Sequence, residues 1–150
     1  MSASPRLVVA NGPNLNTLGT REPEIYGLQT LADIQALVDA KAQEMGWEVT
    51  FFQTNHEGEM IDRLQRDAPS SRGVVINPGA WGHYSHALGD CLRSLSVPVV
   101  EVHLSNLFAR ASRDPIRSLN VTAGAARGYI CGLGARGYLL AMEYLSDLDE

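Results

Sequence analysis

Cysteine is scarce in this sequence: Cys91 and Cys131 are the only two, and they stand far apart. That excludes a disulfide framework and a Cys-ligated zinc knuckle. Cations are also few. Twelve Lys and Arg against 17 Asp and Glu leave a net charge of −5 with no basic block, which excludes an ordinary nucleic-acid-binding surface. No apolar run approaches membrane-spanning length, because Gly, Pro or a charge interrupts each within about ten residues. Met1 to Pro5 lacks the charged and apolar regions of a signal peptide, so the expected location is cytoplasmic. No Gly-x-Gly-x-x-Gly follows the first apolar run, and no Walker lysine or Gly-x-Ser-x-Gly elbow is present. Cys91 falls on an expected helix face, so nucleophilic catalysis has no obvious agent. What is present is globular: 150 residues, 45% apolar and 19% charged, read as one domain over 1–150 with room for a core.

Four continuous apolar runs read as buried parallel strands: Leu7 to Ala10, Val49 to Phe52, Gly73 to Ile76 and Val97 to Val102. They are short and rich in β-branched residues, as strands covered on both faces are. Gly128 to Gly132 is a weaker fifth. Between them lie helical stripes. Leu31, Ile34, Val38, Ala42 and Met45 recur at three- and four-residue steps, with Gly46 as a C-terminal stop. Met60, Ile61 and Leu64 form a second stripe, Leu88, Cys91, Leu92 and Leu95 a third, and Tyr138, Ala141, Leu145 and Leu148 a fourth. The alternation predicts an α/β fold, an open, doubly wound sheet of five parallel strands with helices on both faces. Ligands bind such sheets outside the carboxyl ends of the strands.

Polar residues stand at three of those ends. After the first strand, a segment from Asn11 to Gly27 carries Asn14, Arg21 and Tyr26 and is too long for an ordinary βα turn. After the third come Asn77-Pro78-Gly79-Ala80 and then His83. His83 and His86 are three apart at an expected helix start, but without neighbouring carboxylate or thiolate ligands they do not make a recognisable metal motif. His86 reads as a surface or interface residue. After the fourth, Glu101 and His103 point to one face if the strand persists that far, and a carboxylate beside an imidazole makes a ready general acid. Gly132-Leu133-Gly134 reads as close packing.

These residues carry a resemblance. Asn11-Gly-Pro-Asn-Leu15, Leu18-Gly19, Arg21-Glu-Pro-Glu-Ile-Tyr-Gly27, Gln53-Thr-Asn-His-Glu-Gly58, Asn77-Pro-Gly-Ala80, Glu101-Val-His-Leu-Ser-Asn106, Cys131-Gly-Leu-Gly134 and Gly137-Tyr-Leu-Leu140 appear in order over nearly the whole chain. Together they resemble the type II 3-dehydroquinate dehydratases, small flavodoxin-like enzymes. The resemblance implies reversible dehydration of 3-dehydroquinate to 3-dehydroshikimate through an enolate, in the shikimate or quinate pathway, with no cofactor and no metal. It implies a homododecamer built as a tetramer of trimers. Tyr26 is then the base that takes the proton alpha to the ketone. A phenol ordinarily titrates near 10, so the site must favour phenolate, and Arg21 is the cation implied for that. Asn14 holds a water or oxyanion against the enolate. His103 protonates the departing hydroxyl, with Glu101 orienting it. Asn77 and His83 match substrate-hydroxyl ligands, and the backbone amides of Leu104 and Ser105 match the carboxylate pocket. Asp90 corresponds to a residue that reaches a neighbouring subunit's site.

One further arginine is expected on the substrate. Counting back from Gly132 reaches Arg117, preceded by Pro115. Counting forward from Asn106 meets about three extra residues and leaves Arg113 as the competitor. Departures from the family pattern fall at Trp81, Gly82 and Tyr84, at Ser118-Leu119-Asn120-Val121 and at Arg127. Trp81 and Tyr84 are bulky beside the expected hydroxyl site, and shape changes alter substrate choice more readily than proton-transfer chemistry. The alternative reading is a catalytically weak paralogue that binds a related cyclic hydroxy acid. A flavin carrier or receiver domain ranks third, lacking a flavin-phosphate loop or an acidic cluster after the first strand.

Overall fold

Why the strand runs are continuous rather than alternating is plain from where each side chain goes. The computed structural model describes residues 2–148. Leu7 and Val9 of β1 (Arg6–Asn11) enter one core, and Val8 and Ala10 enter the other. Both sets are fully buried, so these four positions must all be apolar. The chain continues through α1 (Pro23–Tyr26), α2 (Leu31–Met45), β2 (Glu48–Gln53), α3 (Glu57–Asp67) and β3 (Gly73–Asn77). Then follow α4 (His86–Ser94), β4 (Val99–His103), α5 (Leu107–Arg110), β5 (Gly128–Cys131) and α6 (Arg136–Asp147). All pairings are parallel, in the order β2-β1-β3-β4-β5. Ile34 and Val38 of α2 and Tyr138 and Met142 of α6 pack on one face. Met60 and Leu64 of α3 and Leu88 and Leu92 of α4 pack on the other. The expected doubly wound architecture is therefore the one observed.

Local signals account for most boundaries. Thr30 and Asp33 cap α2 reciprocally, and Gly46 ends it in the left-handed region at φ 74°. Three expectations shift. The fourth strand begins at Val99, not Val97, and runs on to His103. The long segment after β1 holds a 3-10 turn, Leu15–Thr17, and the single helical turn α1. Leu148 lies past the end of α6 and is exposed, so the last stripe is one residue shorter than its period suggests.

The strand order reverses between β1 and β3, which places the crevice at their carboxyl ends. There the two loops touch: the Gly12 amide donates to the Asn77 carbonyl at 2.8 Å. A Cβ on Gly12 would lie 2.6 Å from the Pro78 carbonyl oxygen, so glycine is required for this approach. Beneath them Tyr138 donates to Asn11 Oδ1 at 2.6 Å and accepts from Asn77 Nδ2 at 3.0 Å. That fully buried phenol, pushed up in pKa by desolvation, ties α6 to the ends of both strands.

Candidate active site

A cleft opens at the carboxyl ends of β1, β3 and β4, where doubly wound sheets bind their ligands. Asn14, Arg21, Tyr26, Asn77, His83, His103, Leu104, Ser105 and Arg117 all line it. Ten of the eleven expected site residues stand at this cleft or, like Glu101, directly behind it. Asp90 is the exception. It is exposed on α4, pairs with Arg93, and does not line this chain's own cleft.

Tyr26 ends the one-turn helix α1, which starts at Pro23 and stops at Gly27. Its ring is flanked by two guanidinium groups, Arg21 at 5.0 Å and Arg110 at 5.2 Å from the centroid. The hydrogen bond on the phenolic oxygen comes from Arg110 Nη1 at 3.0 Å, and the same nitrogen donates to Ser105 Oγ at 3.0 Å. Arg21, the cation expected there, lies over the ring and 4.0 Å from Glu22. Sequence reasoning weighed Arg113 and Arg117 beyond Asn106 but passed over Arg110, which stands one helical turn after it. Asn14 and Glu22 both adopt positive φ, 68° and 40°. Such backbone is sparsely populated outside glycine and is concentrated here on the two approaches to the cleft.

On the opposite wall, β4 carries Glu101 and His103 on one face, as the two-residue period requires. His103 Nε2 donates to Glu101 Oε2 at 2.8 Å, because a carboxylate has no proton to give. Glu101 is wholly buried and would be costly without donors. It has two more: Asn120 Nδ2 on Oε2 at 2.8 Å, and the Thr122 hydroxyl on Oε1. The 118–121 departure thus supplies a partner to the carboxylate behind the imidazole. Beside His103, Tyr129 lies 5.6 Å away ring to ring, its phenol held protonated by desolvation.

His83 Nδ1 donates to the Leu119 carbonyl at 2.8 Å, which leaves Nε2 as an acceptor. Arg117 Nη1 donates to it at 3.2 Å. Burial pushes the His83 ring below the usual imidazole range and Arg117 adds to this, while the Leu119 carbonyl opposes. Of the two competing arginines, Arg117 lines the cleft and Arg113 is exposed outside it. The expected position of Trp81 and Tyr84 beside the hydroxyl site is not the one observed. Trp81 is buried in the core on the α3–α4 face, Tyr84 is 56% exposed, and neither lines the cleft. Among the described residues no group of three or more His, Cys, Asp or Glu is placed to hold a metal ion, and His86 is exposed. No helix among them is long and apolar enough to cross a membrane.

Fold and site together define a doubly wound α/β protein whose strand-end cleft is furnished for proton transfer. The chain belongs to the class II dehydroquinase family, whose model, Dehydroquinase class II, matches residues 5–146. It is similar to the 3-dehydroquinate dehydratase of Bacillus subtilis, 50% identical over 141 residues that cover 94% of this chain and 93% of that one. The enzyme of the same name from Sinorhizobium medicae is 49% identical over 144 residues, covering 96% and 95%. Among solved structures, the type II dehydroquinase of Propionibacterium acnes superposes with a TM-score of 0.89 at 40% identity, covering 98% of this chain and 99% of that one.

Proposed function

We propose that this chain converts 3-dehydroquinate to 3-dehydroshikimate and water through an enolate. The observation that carries the reading is that Tyr26 and His103 line one cleft, each backed by groups suited to its task. Tyr26 takes the proton from the carbon alpha to the ketone. Negative charge on its oxygen meets the Arg110 donor at 3.0 Å, with Arg21 over the ring. Asn14, on the near lip, holds a water or the enolate oxygen where charge develops. His103, bonded through Nε2 to Glu101, has Nδ1 left to protonate the departing hydroxyl. Asn77, His83 and Arg117 serve the substrate hydroxyls, and the Leu104 and Ser105 backbone the carboxylate. The reaction removes and returns protons without a change of oxidation state, so these side chains suffice for every step.

The assembly we infer is a homododecamer of four trimers, in which Asp90 reaches the neighbouring cleft. Exposed Phe108, Ile116 and Leu119, all on the segment between β4 and β5, favour burial against another copy. Light scattering on the purified protein decides it. For the reaction, the protein is incubated with 3-dehydroquinate and the absorbance of the conjugated enone is followed. Turnover is expected to survive a chelator and to collapse at least about 100-fold in Tyr26→Phe, the scale of a lost general base. Ligand-induced thermal stabilisation without turnover would instead establish a binding paralogue.

A further inference from the structure

An arginine on a surface turn has many rotamers, and holding one costs conformational entropy. Arg117 sits on the 3-10 turn Pro115–Ser118, yet its side chain is only 19% exposed and is gripped at both ends. Its Nε donates to Asp114 Oδ2 at 2.9 Å, and its Nη1 to His83 Nε2 at 3.2 Å. The second grip exists because Leu119 takes the Nδ1 proton and fixes the His83 tautomer. Asp114 stands where an aspartate ordinarily caps the backbone of the following turn, but its side chain makes no such bond and is engaged by Arg117 instead. Two of the five guanidinium N–H groups are used this way, and the others remain for an oxygen in the cleft.

We propose that Asp114 is a positioning residue for Arg117: together with His83 it presents the guanidinium to the hydroxyl end of the substrate and so sets how tightly this cleft holds its ligand. The proposal rests on the reading of the cleft as the 3-dehydroquinate site and adds a residue to it. Exposed ion pairs are ordinarily worth little, and Asp114 is itself 48% exposed. What lifts this one is that the partner guanidinium lines the cleft and is held a second time by a buried ring.

Asp114→Asn keeps the shape and removes the charge. KM for 3-dehydroquinate is expected to rise about fivefold with kcat within about twofold, the pattern of lost uniform binding. In an Arg117→Gln background the same substitution is expected to change KM by less than about twofold, because the group it positions is gone. An unchanged KM, a fall in kcat alone, or an equal KM effect in both backgrounds overturns the proposal. A ligand-free measurement separates it from the substrate reading. The Arg117 Nε–H proton resonance is expected to exchange slowly in the wild type and rapidly in Asp114→Asn. Equal exchange in both overturns the positioning role, whether or not the wild type turns over 3-dehydroquinate. Absence of both turnover and thermal stabilisation by 3-dehydroquinate, with the exchange difference intact, overturns only the substrate.

Discussion

Glu101→Gln separates the charge of the buried carboxylate from its hydrogen bonds. The two oxygens are not equivalent. Oε2 accepts at 2.8 Å from His103 Nε2 and from Asn120 Nδ2, and the second cannot reverse because Asn120 Oδ1 already accepts from the Thr122 and Ala123 amides. Oε1 accepts from the Thr122 hydroxyl, which can rotate and accept instead. Glutamine therefore has one orientation that keeps all three partners, with its oxygen on His103 and Asn120 and one N–H donating to Thr122. The fold is retained, and the stability lost is about 1–2 kcal/mol, the difference between hydrogen bonds to charged and to neutral acceptors. The same difference of about 1–2 kcal/mol is withdrawn from His103 whenever its ring carries the proton it is to donate. At 1.4 kcal/mol per factor of ten, kcat falls about 5- to 30-fold. Steady-state turnover of 3-dehydroquinate at pH 7, paired with a thermal melt, reads both numbers. A variant that melts like the wild type and keeps kcat within twofold would show that the charge at position 101 is not used.

Two other expectations follow from buried groups. Tyr138→Phe strands Asn11 Oδ1 and Asn77 Nδ2, at about 1–3 kcal/mol for each group left unsatisfied, and frees Asn77 to turn. Denaturant unfolding is expected to show the loss and steady-state kinetics a raised KM; unchanged stability would remove this triad from the account. His83 titrates below its ordinary 6.5 in the folded protein, chiefly through burial. The unfolded chain then binds the extra proton first, so stability is full above pH 6.5 and falls as pH drops through the folded value. Unfolding free energies between pH 7 and 5 are expected to decline more steeply in the wild type than in His83→Gln, and parallel curves would refute the burial argument.

The sheet and half of the site are legible in the sequence because they depend on short-range periods. A strand with helices on both faces has no polar positions to spare, so continuous runs such as Leu7 to Ala10 announce it. The same two-residue period puts Glu101 and His103 on one face of β4 from their spacing alone. What escapes the sequence has no period. Arg110 meets a tyrosine 84 residues away, and Asn120 and Thr122 reach back 19 and 21 residues from irregular backbone. Spacing leaves Arg113 and Arg117 open because the segment between α5 and β5 departs from the usual length; the 3-10 turn decides it by directing Arg117 inward. Trp81 misleads for a simpler reason. Proximity in sequence to His83 suggests proximity to the cleft, but a 3-10 turn sends neighbouring side chains to different sides, and the indole enters the core.

Tyr26 and His103 are held in opposite ways. His103 is fixed in the sheet, 5% exposed, with Glu101, Asn120 and Thr122 stacked behind it. Tyr26 comes in on a surface loop with a single helical turn, half-buried, and its hydroxyl is held by Arg110 from the segment after β4. That same segment carries Arg117 and Asp114 and supplies Asn120 and Thr122. Residues 107–122 therefore bear on Tyr26, on the carboxylate behind His103 and on Arg117 at once. A change of length or composition there is felt at all three, whereas a change confined to Trp81 or Tyr84 is felt at none directly. Of the departures from the family pattern, it is thus the segment that follows β4 that reaches the groups around the cleft, while the bulky Trp81 and Tyr84 do not line it.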